Sequence, residues 1–211
     1  MKRLLPIFLA LAVLFSVGSR AAAQLVPKID VPTRSWMQEL SGGKRLGIDD
    51  AFQYVPLGAE VLLGFAVPAA HPFRERVALT VTSYAVMMTL SQGSKYLLDV
   101  TRPDGGRYSF PSGHTATAFM GAELVRMEYG NAYGAAAYAI AAATGFLRMY
   151  NDRHWLSDAL GGAAVGIFSA HVAHWLLPFE RSVFGWNGPA AVVAVPYAAP
   201  GQYGISLAMT F

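Results

Sequence analysis

The sequence has no cysteine, which excludes a disulfide framework, a thiolate metal site and a lipid-modified cysteine anchor. Charge is nearly as scarce: Asp, Glu, Lys and Arg make up 14% of the 211 residues, against roughly a quarter in ordinary soluble domains. The formal net charge of +3 comes with no basic stripe and no RNA-binding motif, so nucleic acid is not an expected partner. No internal repeat and no low-complexity segment is present. What remains is a 54% apolar chain, which fits a membrane protein or a strongly buried helical bundle.

Residues 1–23 have the layout of a secretory signal. Lys2 and Arg3 precede an apolar run from Leu4 to Val17, and Ala21, Ala22 and Ala23 offer a small-residue cleavage site. Residues 24–48 are polar, contain Pro27, Pro32 and Gly42-Gly43, and read as a surface segment or linker. The pattern then predicts about five helices over residues 49–180. The first starts at Asp49 and Asp50, which can cap it, and runs toward Phe65. The others cover Arg74 to about Val100, His114 to Tyr129, Ala132 to Tyr150, and Arg153 to Leu177, stopping at Pro178. Glu123 and Arg126 stand one turn apart and are able to pair. Residues 181–211 form a tail in which Ala191 to Tyr197 and Tyr203 to Phe211 are strand-like around a Pro200-Gly201 turn, as in a β-hairpin. His71 reads as a loop histidine. His171 and His174 read as structural or interfacial, since no carboxylate or thiolate is spaced along the chain to complete a metal site with them.

The few charges fall into three groups: Lys95 with Arg102-Pro103, Pro111-Ser112-Gly113-His114, and Arg148 with His154 and Asp158. Their chemistry suits a phosphate ester. Arginine forks onto phosphate oxygens and lysine adds a point charge. Lys95 and Arg102, seven residues apart, share a face if the helix persists that far. Ser112 and Gly113 precede a helix whose free N–H groups attract an anion. His154 and Asp158, at i and i+4, are neighbours on a helix, where the carboxylate fixes one ring nitrogen and leaves the other to attack. His114 is then available to protonate the leaving oxygen.

These three groups resemble the motifs of the type 2 phosphatidic acid phosphatase superfamily, which includes vanadium haloperoxidases and bacterial acid phosphatases. The motifs K-x6-R-P, P-S-G-H and S-R-x5-H-x3-D are matched by KYLLDVTRP, PSGH and LRMYNDRHWLSD, with Leu147 in place of the serine. The resemblance implies an all-α bundle of the chloroperoxidase type that needs no metal or other cofactor. It implies phosphoryl binding by Lys95, Arg102, Ser112, Gly113 and Arg148, a His154 nucleophile oriented by Asp158, and a His114 general acid. Together with the apolar excess, it implies a phosphatase of a membrane lipid such as phosphatidic acid, an isoprenoid pyrophosphate or lipid A. The alternative is a soluble periplasmic acid phosphatase of broad specificity. In a spanning topology all three motifs fall on the periplasmic side, although several apolar stretches are short of the roughly 20 residues of a clean span.

Overall fold

The computed structural model describes residues 27–186, 191–199 and 202–210. The expected signal over 1–23, the Pro200-Gly201 turn and Phe211 lie outside the described residues. The helices are α1 (27–41), α2 (Asp49–Phe52), α3 (Val55–Leu63), α4 (Phe73–Leu98), α5 (Gly113–Tyr129), α6 (Asn131–Tyr150) and α7 (Leu156–Val183). Two strands, β1 (Ala191–Ala199) and β2 (Gln202–Thr210), pair antiparallel in a register running from Ala191 opposite Thr210 to Ala199 opposite Gln202.

The all-α bundle expected from the sequence is what forms, with α5 at its centre against α3, α4, α6 and α7. Its interior side chains are mostly small. Ala118, Ala122 and Val125 of α5 meet Ala137 and Ala141 of α6, while Leu124 meets Leu79 of α4 and Ala170, Ala173 and Leu177 of α7. Small side chains let the backbones approach. A Cβ added at Gly166 would lie 2.3 Å from the Ala116 carbonyl oxygen, and one at Gly162 would lie 2.5 Å from that of Ser112. Glycine on α7 thus seats the start of α5 directly on the start of α7. Gly166→Val should therefore lower stability by about 1–3 kcal/mol, the usual cost of overpacking a tight contact. Gly93→Ala, where a Cβ would meet nothing within 4 Å, should be neutral or stabilising. Thermal melts of the two variants check the contrast.

Four expectations need correction. Within the expected surface segment or linker, residues 27–41 are helical, because Asp30 and Met37 give this polar segment a buried face. The helix expected from Asp49 to Phe65 is two, divided before Pro56, which has no N–H to donate and settles in the first turn of α3. The helix carrying Lys95 stops at Leu98, where Asp99 turns left-handed with φ 41°, so Arg102 sits in the following loop and not on the Lys95 face. Finally, α7 continues through Pro178 to Val183. Its last turns are held to α4 by Thr82 donating to Glu180 and by the ion pair of Arg181 with Glu75.

Many large apolar side chains remain outside. Phe73, Val81 and Leu97 of α4, and Trp175, Phe179 and Val183 of α7, are each more than half exposed. By length and composition, α7 is the one helix among the described residues fit to cross a membrane.

Candidate active site

The three motif groups converge because α4, α5, α6 and α7 run alternately up and down. The end of α4 brings Lys95, the start of α5 brings His114, the end of α6 brings Arg148, and the turn into α7 brings His154. His154 lies within electrostatic reach of Asp158, Arg148 and Arg102, and Lys95 within reach of Arg102, Arg148 and Asp158.

His154 is almost fully buried, and it precedes α7 instead of sitting on it. Trp155 is the N-cap and Asp158 the third residue of the helix. The expected pairing still forms, with His154 Nδ1 3.3 Å from Asp158 Oδ2. The same carboxylate oxygen accepts from the Trp155 backbone N–H at 2.9 Å and from the Ser109 hydroxyl. Because Asp158 can only accept, the proton sits on Nδ1 and the Nε2 lone pair is free. Burial, reinforced by the charges of Arg148 and Arg102, holds the His154 pKa down at about 4 in spite of Asp158. The ring is therefore neutral at ordinary pH.

Ser112 and Gly113 play different parts. The Ser112 hydroxyl is fully buried, caps α5 by accepting from Thr115, and is not turned outward. Its N–H donates to the Asp158 carbonyl oxygen at 3.0 Å, which ties the second motif to the third. A Cβ added at Gly113 would meet nothing within 4 Å, so the close-approach face at the start of α5 is here. Lys95 Nζ donates to the Tyr108 carbonyl at 2.8 Å and Arg102 Nε to that of Arg107 at 3.2 Å, so both cations brace the loop they flank.

Arg148 is buried, and its NH1 meets Asp49 Oδ2 at 2.5 Å and Asp50 Oδ1 at 3.4 Å. Its Nε is buried without a hydrogen-bond partner among the described residues. His114 Nε2 lies 2.9 Å from the same Asp50 Oδ1. The sequence assigned Asp49 and Asp50 to helix capping; they are instead the carboxylates facing Arg148 and His114, and the N-cap of α2 is Ile48 without a side-chain cap. A cavity of about 170 Å³ opens beside them, lined by Arg45, Asn151 and Arg153 as well as Asp49, Asp50 and Arg148. Leu147, where the motif has serine, is buried, and the hydroxyl near the histidine comes from Ser109, 3.5 Å from Nδ1.

The N-terminal region braces the same end. Asp30 accepts from the Ser157 N–H and hydroxyl, and Arg34 forks onto Asp152 while donating to the Pro103 carbonyl. Asn151 exchanges two hydrogen bonds with the Leu46 backbone. None of these contacts had a local signal in the sequence, because each joins residues 69 to 127 positions apart.

The remaining histidines also have partners. Arg126 and His171 both meet Glu123, the first as the helix-turn pair expected. His71 and His174 both meet Glu128. The carboxylate that the sequence did not offer to His174 is thus supplied by α5, one helix away.

A sequence profile described as the PAP2 superfamily matches residues 76–182, half of the chain. The chain is also similar to a lipid A 1-phosphatase of Porphyromonas gingivalis, at 36% identity over 162 residues that take in 74% of this chain and 36% of the relative. It therefore spans only about a third of that relative's length. Among solved structures, the helical fold is similar to the crystal structure of Aquifex aeolicus LpxE, with a TM-score of 0.54 at 19% identity, covering 67% of this chain and 93% of that one. At that identity the likeness concerns the fold.

Proposed function

The chain belongs to the PAP2 superfamily, and from that premise we propose that it is a phosphatase of a phosphorylated envelope lipid, acting through a phosphohistidine at His154. The observation that carries this reading is the convergence of the His154–Asp158 pair with Lys95, Arg102 and Arg148 around the start of α5. In the first step His154 Nε2 attacks phosphorus, the bond to the lipid oxygen breaks, and His114 delivers the proton that the departing alkoxide needs. In the second step water attacks the phosphohistidine, His114 takes a proton from it, and inorganic phosphate leaves. Arg148 offers its NH groups and the unpartnered Nε to phosphoryl oxygens, Lys95 and Arg102 add charge, and the Gly113 backbone permits close approach. Every proton and bond in these steps is handled by protein groups, so no cofactor enters the scheme.

A lipid substrate is supported by the apolar side chains left outside on α4 and α7 and by the name of the Porphyromonas relative. A glycolipid 1-phosphate of the lipid A type is the substrate we favour. Phosphate release from purified protein, measured on such a lipid, on phosphatidic acid, on an isoprenoid pyrophosphate and on p-nitrophenyl phosphate, tests this directly. The expected order puts the glycolipid first, and faster turnover of the soluble ester than of every lipid would overturn the lipid assignment. The membrane placement, with the motif ends of the helices on the periplasmic side, predicts retention in membranes through a carbonate wash. Release of the protein without detergent would contradict it.

Asp50 enters this scheme in two ways. Its largely exposed carboxylate competes with phosphoryl oxygens for Arg148 and holds the His114 ring. Asp50→Asn should tighten inhibition by free phosphate about two- to fivefold, the scale of an exposed ion pair. It should also slow alkyl esters more than aryl esters, because the proton donor is less well held. Inhibition constants and the alkyl-to-aryl rate ratio read the two effects separately.

A further inference from the structure

At the other end of the bundle, we propose a second site: a divalent metal ion of the zinc class held by His71, Glu128 and His174. It is independent of the phosphatase reading. His114 and Glu128 both lie on α5, and positions 114 to 128 span roughly 21 Å at 1.5 Å per residue, so this cluster is separate from the motif end. His71 comes from the segment between α3 and α4, Glu128 from the last turn of α5 and His174 from the second half of α7. The ligand atoms of the three lie within 4.8 Å of one another. Two imidazoles and a carboxylate form a donor set suited to zinc, with water as a fourth ligand.

The hydrogen bonding favours a cation over a simple polar cluster. His174 Nδ1 lies 3.0 Å from the Ala170 carbonyl, which can only accept, so Nδ1 carries the ring proton. In the neutral ring Nε2 is a bare lone pair, buried and without a hydrogen-bond partner, facing Glu128 Oε1 at 3.9 Å. A lone pair facing a carboxylate oxygen is repulsive unless a cation lies between them. The 3.9 Å gap is too long for a hydrogen bond, yet it suits two ligands at about 2.0–2.2 Å from one ion. A histidine that donates its other N–H to a backbone carbonyl is the usual second shell of a metal-bound imidazole. Glu128 is braced in the same manner: its Oε2 accepts the His71 N–H at 3.1 Å, which leaves Oε1 toward both rings. Its side chain is 1% exposed. His71 Nδ1, 2.8 Å from Oε1, needs to open by about half an ångström to share an ion with it. The ion would tie three elements together opposite the motif end.

The test uses tag-free full-length protein, purified in detergent and stripped with a chelator. Zinc should bind in equimolar amount and raise the melting temperature. Cobalt in its place should give the visible bands of a four-coordinate nitrogen–oxygen site. Glu128→Gln and His174→Gln should each weaken zinc binding by about tenfold or more and remove the thermal shift. Should either variant fail to fold, X-ray absorption on the zinc-loaded wild type still decides, with two imidazoles expected in the shell. Absence of zinc binding by the wild type, binding unchanged in both folded variants, or a shell without two imidazoles would overturn the site.

Discussion

His154→Ala is expected to abolish phosphate release from every substrate, activated or not. His154 is held by a buried carboxylate, Asp158, whereas His114 is paired through Nε2 with the largely exposed Asp50. The loss should exceed the roughly 10²–10⁴-fold that proton transfer contributes, which is the range expected for His114→Ala on an alkyl phosphate. With an aryl phosphate, whose leaving group departs without a proton, the His114→Ala loss should shrink while the His154→Ala loss does not. The same histidine sets the acid limit. Since burial keeps its folded pKa near 4, well below the ordinary value of about 6.5, the nucleophile is lost only as pH falls through about 4. With the substrate's own phosphate ionisation allowed for, the acid limb of kcat/KM should fall there, and an enzyme limb near 6.5 would mean that His154 is solvated.

Arg148→Lys should lower kcat/KM by about 10²–10³-fold, the effect of removing a preorganised donor to the transition state. Lysine keeps the charge but not the fork. The change also reaches the ion pair with Asp49, in which both side chains are less than a tenth exposed. Arg148→Ala leaves that carboxylate buried and alone, at a cost of about 3–5 kcal/mol, so it should lower the melting temperature where the lysine variant spares it. Steady-state kinetics with a thermal melt of each variant separate lost chemistry from lost fold.

The contrast between these residues and Asp49 explains what was legible in the sequence. Lys95, Arg102, His114, Arg148, His154 and Asp158 stood out because charge is scarce and because phosphate chemistry needs those residue types. The His154–Asp158 spacing was visible because it is local, even though the backbone that delivers it is a turn and a cap instead of one helix face. The helices from Arg74 onward were equally legible, from their apolar runs. What could not be read was long-range. Asp49 reaches Arg148 across 99 positions and His71 reaches Glu128 across 57, and nothing local distinguishes these acids from caps and surface charges. The segment 27–41 was hidden by its polar composition, because the face it buries is created by the loops it covers. Pro178 misled for a related reason: tertiary anchors at Glu180 and Arg181 outweigh the hydrogen bond that the proline removes.

A phosphohistidine on His154 is open to direct detection by its acid-sensitive label. Protein mixed with a phosphoryl-labelled lipid and quenched within the first turnover should carry label that is stable to base and released by acid, mapped to the peptide containing His154. Given a labelled aryl phosphate, whose first step needs no proton, His114→Ala should retain more of it because the second step is slowed, and His154→Ala should retain none. Label that persists on the His154→Ala protein, or turnover that depends strictly on added magnesium, would contradict the account.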